Sequence, residues 1–101
     1  MHLVQLLLPL RDNAGHPFPR EAYGRVHDEL AERFGGVTAF LQSPAAGAWK
    51  EEGKTLRDEL VLFEVMVDAL DRAWWAHYRR ELEARFHQDA LVVRALGAQS
   101  L

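Results

Sequence analysis

One stretch constrains the fold of this chain more than any other. Residues 57–68, RDELVLFEVMVD, alternate like a strand yet are apolar on both sides. Val61, Phe63, Val65 and Val67 fall on one face; Leu60, Leu62, Glu64 and Met66 fall on the other. Successive side chains of a strand point to opposite faces, so a strand apolar on both belongs in the middle of a sheet. Glu64 is the exception, standing where an aliphatic side chain is expected.

A second segment has the same character. In residues 2–10, Val4, Leu6 and Leu8 face one way and Leu3, Gln5 and Leu7 the other, which predicts another central strand, with Pro9 near its end where a missing N–H does least harm. This segment is not read as an export leader: it lacks a basic flank and a small-residue cleavage site, and its apolar run is too short to span a bilayer. The expectation is an intracellular protein with no membrane partner.

Between the two strands lie a turn and a helix. Residues 11–16, RDNAGH, are turn formers. Residues 17–34 read as a helix, with Pro19 in the first turn and Glu21 favourable to the helix dipole. Ala22, Tyr23, Val26, Leu30 and Phe34 form its apolar stripe, Arg25, Asp28, Glu29 and Glu32 lie off it, and Gly35-Gly36 ends it. Residues 37–42, VTAFLQ, predict a strand, and residues 43–48 a loop. Glu52-Gly53 between two polar arms predicts a hairpin around 47–57, projecting from the body and carrying Trp49. Trp49 then covers a partner or cavity mouth, or folds back on its own subunit.

The C-terminal part supplies a second helix and a last strand. Residues 68–86 read as a helix capped by Asp68, with Leu70, Trp74, Trp75, Tyr78, Leu82 and Phe86 in one broad sector that needs a sheet to cover it. Residues 90–96, ALVVRAL, predict a strand, followed by a frayed tail. The order is β-α-β-β-α-β in a single domain, residues 1–101. Right-handed crossovers turn that order into a ferredoxin-like α+β sandwich, a four-stranded antiparallel sheet with two helices on one face and the first and third strands central.

Two helices on one face leave the other face bare. Strand parity puts Leu3, Gln5, Leu7, Thr38, Phe40, Gln42, Leu60, Leu62, Glu64, Met66, Val92 and Arg94 there. A patch this apolar marks an interface or a ligand cavity. By analogy with other proteins of this fold, the expected partner is a second copy seated on this face as a homodimer. Gln5, Thr38, Glu64 and Arg94 punctuate the patch. One reading is a Glu64–Arg94 ion pair, within or between subunits, that fixes register. The other is a cavity in which Gln5, Thr38, Phe40, Glu64 and Arg94, with Trp49 at its mouth, orient a small-molecule ligand and Glu64 is a candidate general base.

Other chemistries find no motif. The chain has no cysteine, which removes disulfides and thiolate chemistry and suits a reducing cytoplasm. Its five histidines make no HxxxH or HExxH pair, there is no phosphate-binding glycine loop, and no metal or cofactor is expected. His27, at the edge of the first helical stripe, is expected half-buried. Arg and Lys number 12 against 15 acids, net −3, with no basic cluster beyond Arg79-Arg80, so nucleic acid is not an expected partner.

Phe34-Gly35-Gly36-Val37-Thr38, Gly47-Ala48-Trp49, the Glu52-Gly53 turn, Glu59 at the start of a strand, and Arg85-Phe86-His87-Gln88 together resemble a group of small bacterial proteins of ferredoxin-like, dimeric α/β-barrel type. The resemblance spans most of the chain and implies the architecture but no activity. The leading expectation is a cytoplasmic, self-associating binding or structural module. The alternative is a small dimeric α/β-barrel enzyme, a cofactor-free monooxygenase or isomerase acting on a small organic molecule in the cavity named above.

Overall fold

The computed structural model describes residues 1–42, 50–51, 54–55 and 60–101. Its elements are β1 (His2–Pro9), α1 (Arg20–Phe34), β2 (Thr38–Gln42), β3 (Lys50–Glu51), β4 (Lys54–Thr55), β5 (Leu60–Val67), α2 (Arg72–Arg85) and β6 (Val92–Gly97). Four strands form an antiparallel sheet in the order β2-β5-β1-β6. The two strands with apolar residues on both faces, β1 and β5, are its centre, as predicted. The fold is α+β in ferredoxin-like order. β3 and β4 pair separately, Lys50 opposite Thr55 and Glu51 opposite Lys54. Trp49, Gly53 and the rest of the expected hairpin lie outside the described residues.

Parity decides what is buried. Val4, Leu6 and Leu8 of β1 and Phe63, Val65 and Val67 of β5 pack against Val26 and Leu30 of α1 and Trp75, Tyr78 and Leu82 of α2. These are the helical stripes read from the sequence, and burying them supplies the main driving force for the fold. Phe34 of α1 stacks on Trp75 at 5.1 Å between ring centroids and meets Trp74 edge-on at 5.3 Å, locking the two helices together.

Several element ends differ from expectation for local reasons. α1 starts at Arg20 rather than residue 17, because Pro17 is held beside Arg11 in an isolated bridge and Pro19 is extended at the cap (φ −65°, ψ 149°). Gly35 ends the helix as predicted, at φ 80°, its N–H donating to the Ala31 carbonyl. α2 is capped by Asp71, not Asp68: β5 runs on through Val67, so the chain must turn before a helix can begin. The Asp71 carboxylate accepts from the Trp74 N–H at 3.1 Å. Leu70 and Trp75 then occupy the flanking positions at which a hydrophobic staple forms.

β6 runs from Val92 to Gly97 rather than 90–96. Ala98, just past the strand, donates its N–H to the Met1 carbonyl at 3.1 Å, and residues 99–101 beyond it are exposed. The 11–16 turn is built around Asp12, whose Oδ1 accepts from the N–H groups of Ala14 and His16. The His16 N–H bond is the main reason the Asp12 carboxyl sits below its ordinary range. The His27 side chain is about half exposed, beside Asp28.

Candidate functional site

Register builds the bare face row by row. Gln5 lies opposite Glu64 on one side and Arg94 on the other, and Glu64 lies opposite Thr38. The four polar residues picked from strand parity therefore form one continuous row across the sheet, Arg94–Gln5–Glu64–Thr38. The next row is Val92–Leu7–Leu62–Phe40, and on the other side stand Leu96, Leu3 and Met66. A polar stripe thus runs between two apolar ones.

Within the stripe the contacts differ from the direct ion pair expected. Gln5 Nε2 donates to Glu64 Oε2 at 2.7 Å, and Arg94 Nε donates to Gln5 Oε1 at 2.7 Å. Arg94 and Glu64 belong to strands on either side of β1, roughly 10 Å apart at about 4.8 Å per strand, and Gln5 stands in the path between them. An amide fits this place because it donates on one side and accepts on the other, so each bond has one charged partner. Glu64 is half-buried and Arg94 exposed, so the charges keep contact with water. Thr38 is exposed beside Glu64, and Phe40 is exposed in the neighbouring row. Trp49, expected at the mouth of a cavity, lies outside the described residues.

The apolar rows hold most of the large exposed hydrophobic side chains of the described residues. Phe40 is 43% exposed, Met66 50%, Val92 51% and Leu96 46%, and all four lie on this face. Leu62 is the buried member, flanked on its row by Leu7 and Phe40.

A second polar cluster escaped the sequence reading. Arg85 of α2 grips both carboxylate oxygens of Glu29 of α1, at 2.5 and 2.8 Å, and also bonds Glu81 at 2.6 Å. Tyr78 Oη donates to Glu29 Oε1 at 3.0 Å. The bonds from Arg85 hold the Glu29 carboxyl below its ordinary range, and burial, reinforced by the Glu29 charge, raises the Tyr78 hydroxyl. The Glu81–Arg85 spacing and the need of a buried tyrosine for a partner were the available signals. The cluster clamps α1 to α2, and all its members are satisfied. Among the described residues, no three His, Asp or Glu side chains are grouped to hold a metal ion. No helix among them is long and apolar enough to cross a membrane.

No family model matches the sequence, and no curated protein does. Solved structures do share the architecture. CutA1 from Pyrococcus horikoshii superimposes with a TM-score of 0.58 at 13% identity, covering 100% of this chain and 86% of its own. A phage SAM lyase in complex with S-methyl-5'-thioadenosine gives 0.56 at 12% identity, covering 94% and 79%, and its apo state gives 0.55 at 11%, covering 94% and 78%. At such identity the likeness is one of fold, and it agrees with the sheet order and two-helix layer built above from the residues.

Proposed function

We propose that this chain is a self-associating binding or structural module whose bare sheet face seats a second copy of itself. The observation that carries the reading is the placement of Phe40, Met66, Val92 and Leu96, all 43–51% exposed, on one side of the sheet. Exposed apolar groups in such a patch favour association. A polar stripe flanked by apolar rows also suits a twofold interface, in which the same surface is used by both copies and rows can meet rows. The stripe then sets register, since an offset would put charges of Glu64 or Arg94 against hydrocarbon. A cysteine-free chain fits a cytoplasmic setting.

The enzyme reading receives less support. Gln5, Glu64 and Arg94 engage one another, which leaves fewer unpaired groups to orient a ligand than the cavity reading requires. A lyase shares the fold, but fold alone does not transmit chemistry.

Sedimentation velocity tests the proposal. The wild-type protein is expected to sediment as a dimer and Met66→Glu/Val92→Glu as a folded monomer. A wild-type monomer at the highest attainable concentration, or an unchanged oligomer in the double variant, overturns it.

A further inference from the structure

The seam between α2 and the edge strand β6 is open, and its lining is unusual for this chain. A groove of about 260 Å³ runs there, floored by Val4, Trp75 and Val93, bordered by Arg72 and Arg79 of α2, and passing Arg94 at the edge of β6, whose side chain turns to the other face of the sheet. No acidic residue lines it, although the chain as a whole carries a net charge of −3. The space exists because Ala76 of α2 and Ala95 of β6 line the seam with side chains too short to close it.

The two helix arginines are placed to act together. Arg72 and Arg79 stand seven residues apart, two turns or about 10 Å along the axis, with Trp75 and Ala76 between them. Arg72 has no carboxylate within salt-bridge distance among the described residues, and Arg79 has only a long contact to Glu83 at 3.9 Å. Guanidinium groups suit carboxylate recognition because they present paired donors in a plane. The first turn of α2 also places the positive end of a helix dipole beside Arg72.

We propose that this groove binds a small amphipathic anion, a carboxylate carried on a short apolar body. The apolar part lies on Val4, Trp75 and Val93, and the carboxylate is held by Arg72 and Arg79. The volume falls just below the roughly 300–1,000 Å³ typical of small-molecule sites, which limits the body to a short chain or a single ring. The groove lies on the helix side of the sheet, so this inference is independent of the role given to the bare face.

Octanoate and its neutral counterpart 1-octanol are the probes. Each is titrated into the full-length protein, with affinity read calorimetrically and position read from the amide and indole NMR shifts. The expected result is octanoate binding at least about tenfold tighter than 1-octanol. The shifts should centre on Trp75, Val4 and Val93. Arg72→Gln/Arg79→Gln, with circular dichroism confirming its fold, should bring octanoate down to the level of octanol. Met66→Glu/Val92→Glu should bind octanoate as wild type does. Equal affinity for the two probes, no binding of octanoate, undiminished binding by the arginine double variant, or shifts confined to the bare face would each overturn the proposal.

Discussion

Gln5 donates its side-chain amide to Glu64 across the two central strands at 2.7 Å, and the same amide accepts from Arg94 on the other side. This relay explains how a sheet face otherwise built of aliphatic and aromatic residues tolerates two charges in its middle. It also shows why position 5 is an amide rather than an acid or a hydrocarbon.

Gln5→Glu should therefore destabilise the fold. It replaces the donor facing Glu64 with a second carboxylate, and like charges directly opposite in a sheet are unfavourable by up to about 1 kcal/mol. Arg94, being exposed, offsets little of this. Urea denaturation at neutral pH should show a lower midpoint for Gln5→Glu than for Gln5→Leu.

The two aspartates at the start of α2 should behave differently. Asp71 carries the cap bond to the Trp74 N–H, so Asp71→Ala is expected to lose about 1 kcal/mol. Asp68 makes no such bond, and Asp68→Ala should stay within about 0.5 kcal/mol of wild type. Thermal melts of the two variants measure the contrast.

The Glu29–Arg85 clamp predicts a pH dependence of definite sign. The Glu29 carboxyl is held below its reference value of 4.5, chiefly by the bonds from Arg85. A carboxylate depressed in the folded state stabilises above its unfolded pKa, and the contribution is lost as pH falls through the folded value. Glu29 is 35% exposed at its side chain, so screening limits the effect to on the order of 1 kcal/mol. Glu29→Gln should be less stable than wild type at pH 7, and the gap should close below about pH 4. A gap that widens on acidification would contradict the assignment.

His87 follows α2 in a left-handed conformation, φ 51°, a region most side chains avoid at a cost of roughly 1–2 kcal/mol. Histidine is among the side chains that tolerate it, and here its ring stacks on Phe18 at 6.2 Å between centroids. His87→Gly should be close to neutral, relief of strain offsetting loss of the stack, whereas His87→Val should lose at least about 1 kcal/mol. Denaturant midpoints of both variants decide the point.

The parts of this molecule legible in its sequence are those governed by short periods. Alternation in residues 60–67 and 2–8 placed β1 and β5 at the centre, and the same parity put Gln5, Thr38, Glu64 and Arg94 on one face before their register was known. What escaped depended on longer distances. Strand order alone puts Gln5 between Glu64 and Arg94, but that its amide bonds both, in place of a direct Glu64–Arg94 pair, depends on side-chain geometry across three strands. The Glu29–Arg85 clamp joins residues 56 positions apart on two helices, and the rotation that turns Glu29 toward Arg85 is set by packing, not by either stripe. Asp68 and Asp71 are equivalent as cap formers, and only the length of β5 decides between them. The groove beside Arg72 and Arg79 arises from two alanines on different elements, which no local pattern reveals.

The central claim, that the bare face seats a second copy, is tested most directly by isotope-filtered NOE spectroscopy on a mixture of labelled and unlabelled protein. The account predicts intermolecular contacts from the Met66 and Val92 methyl groups to residues of the same sheet face, Phe40 and Leu96 among them. Intermolecular contacts confined to helix residues, or none in a sample that sediments as a monomer, would contradict it.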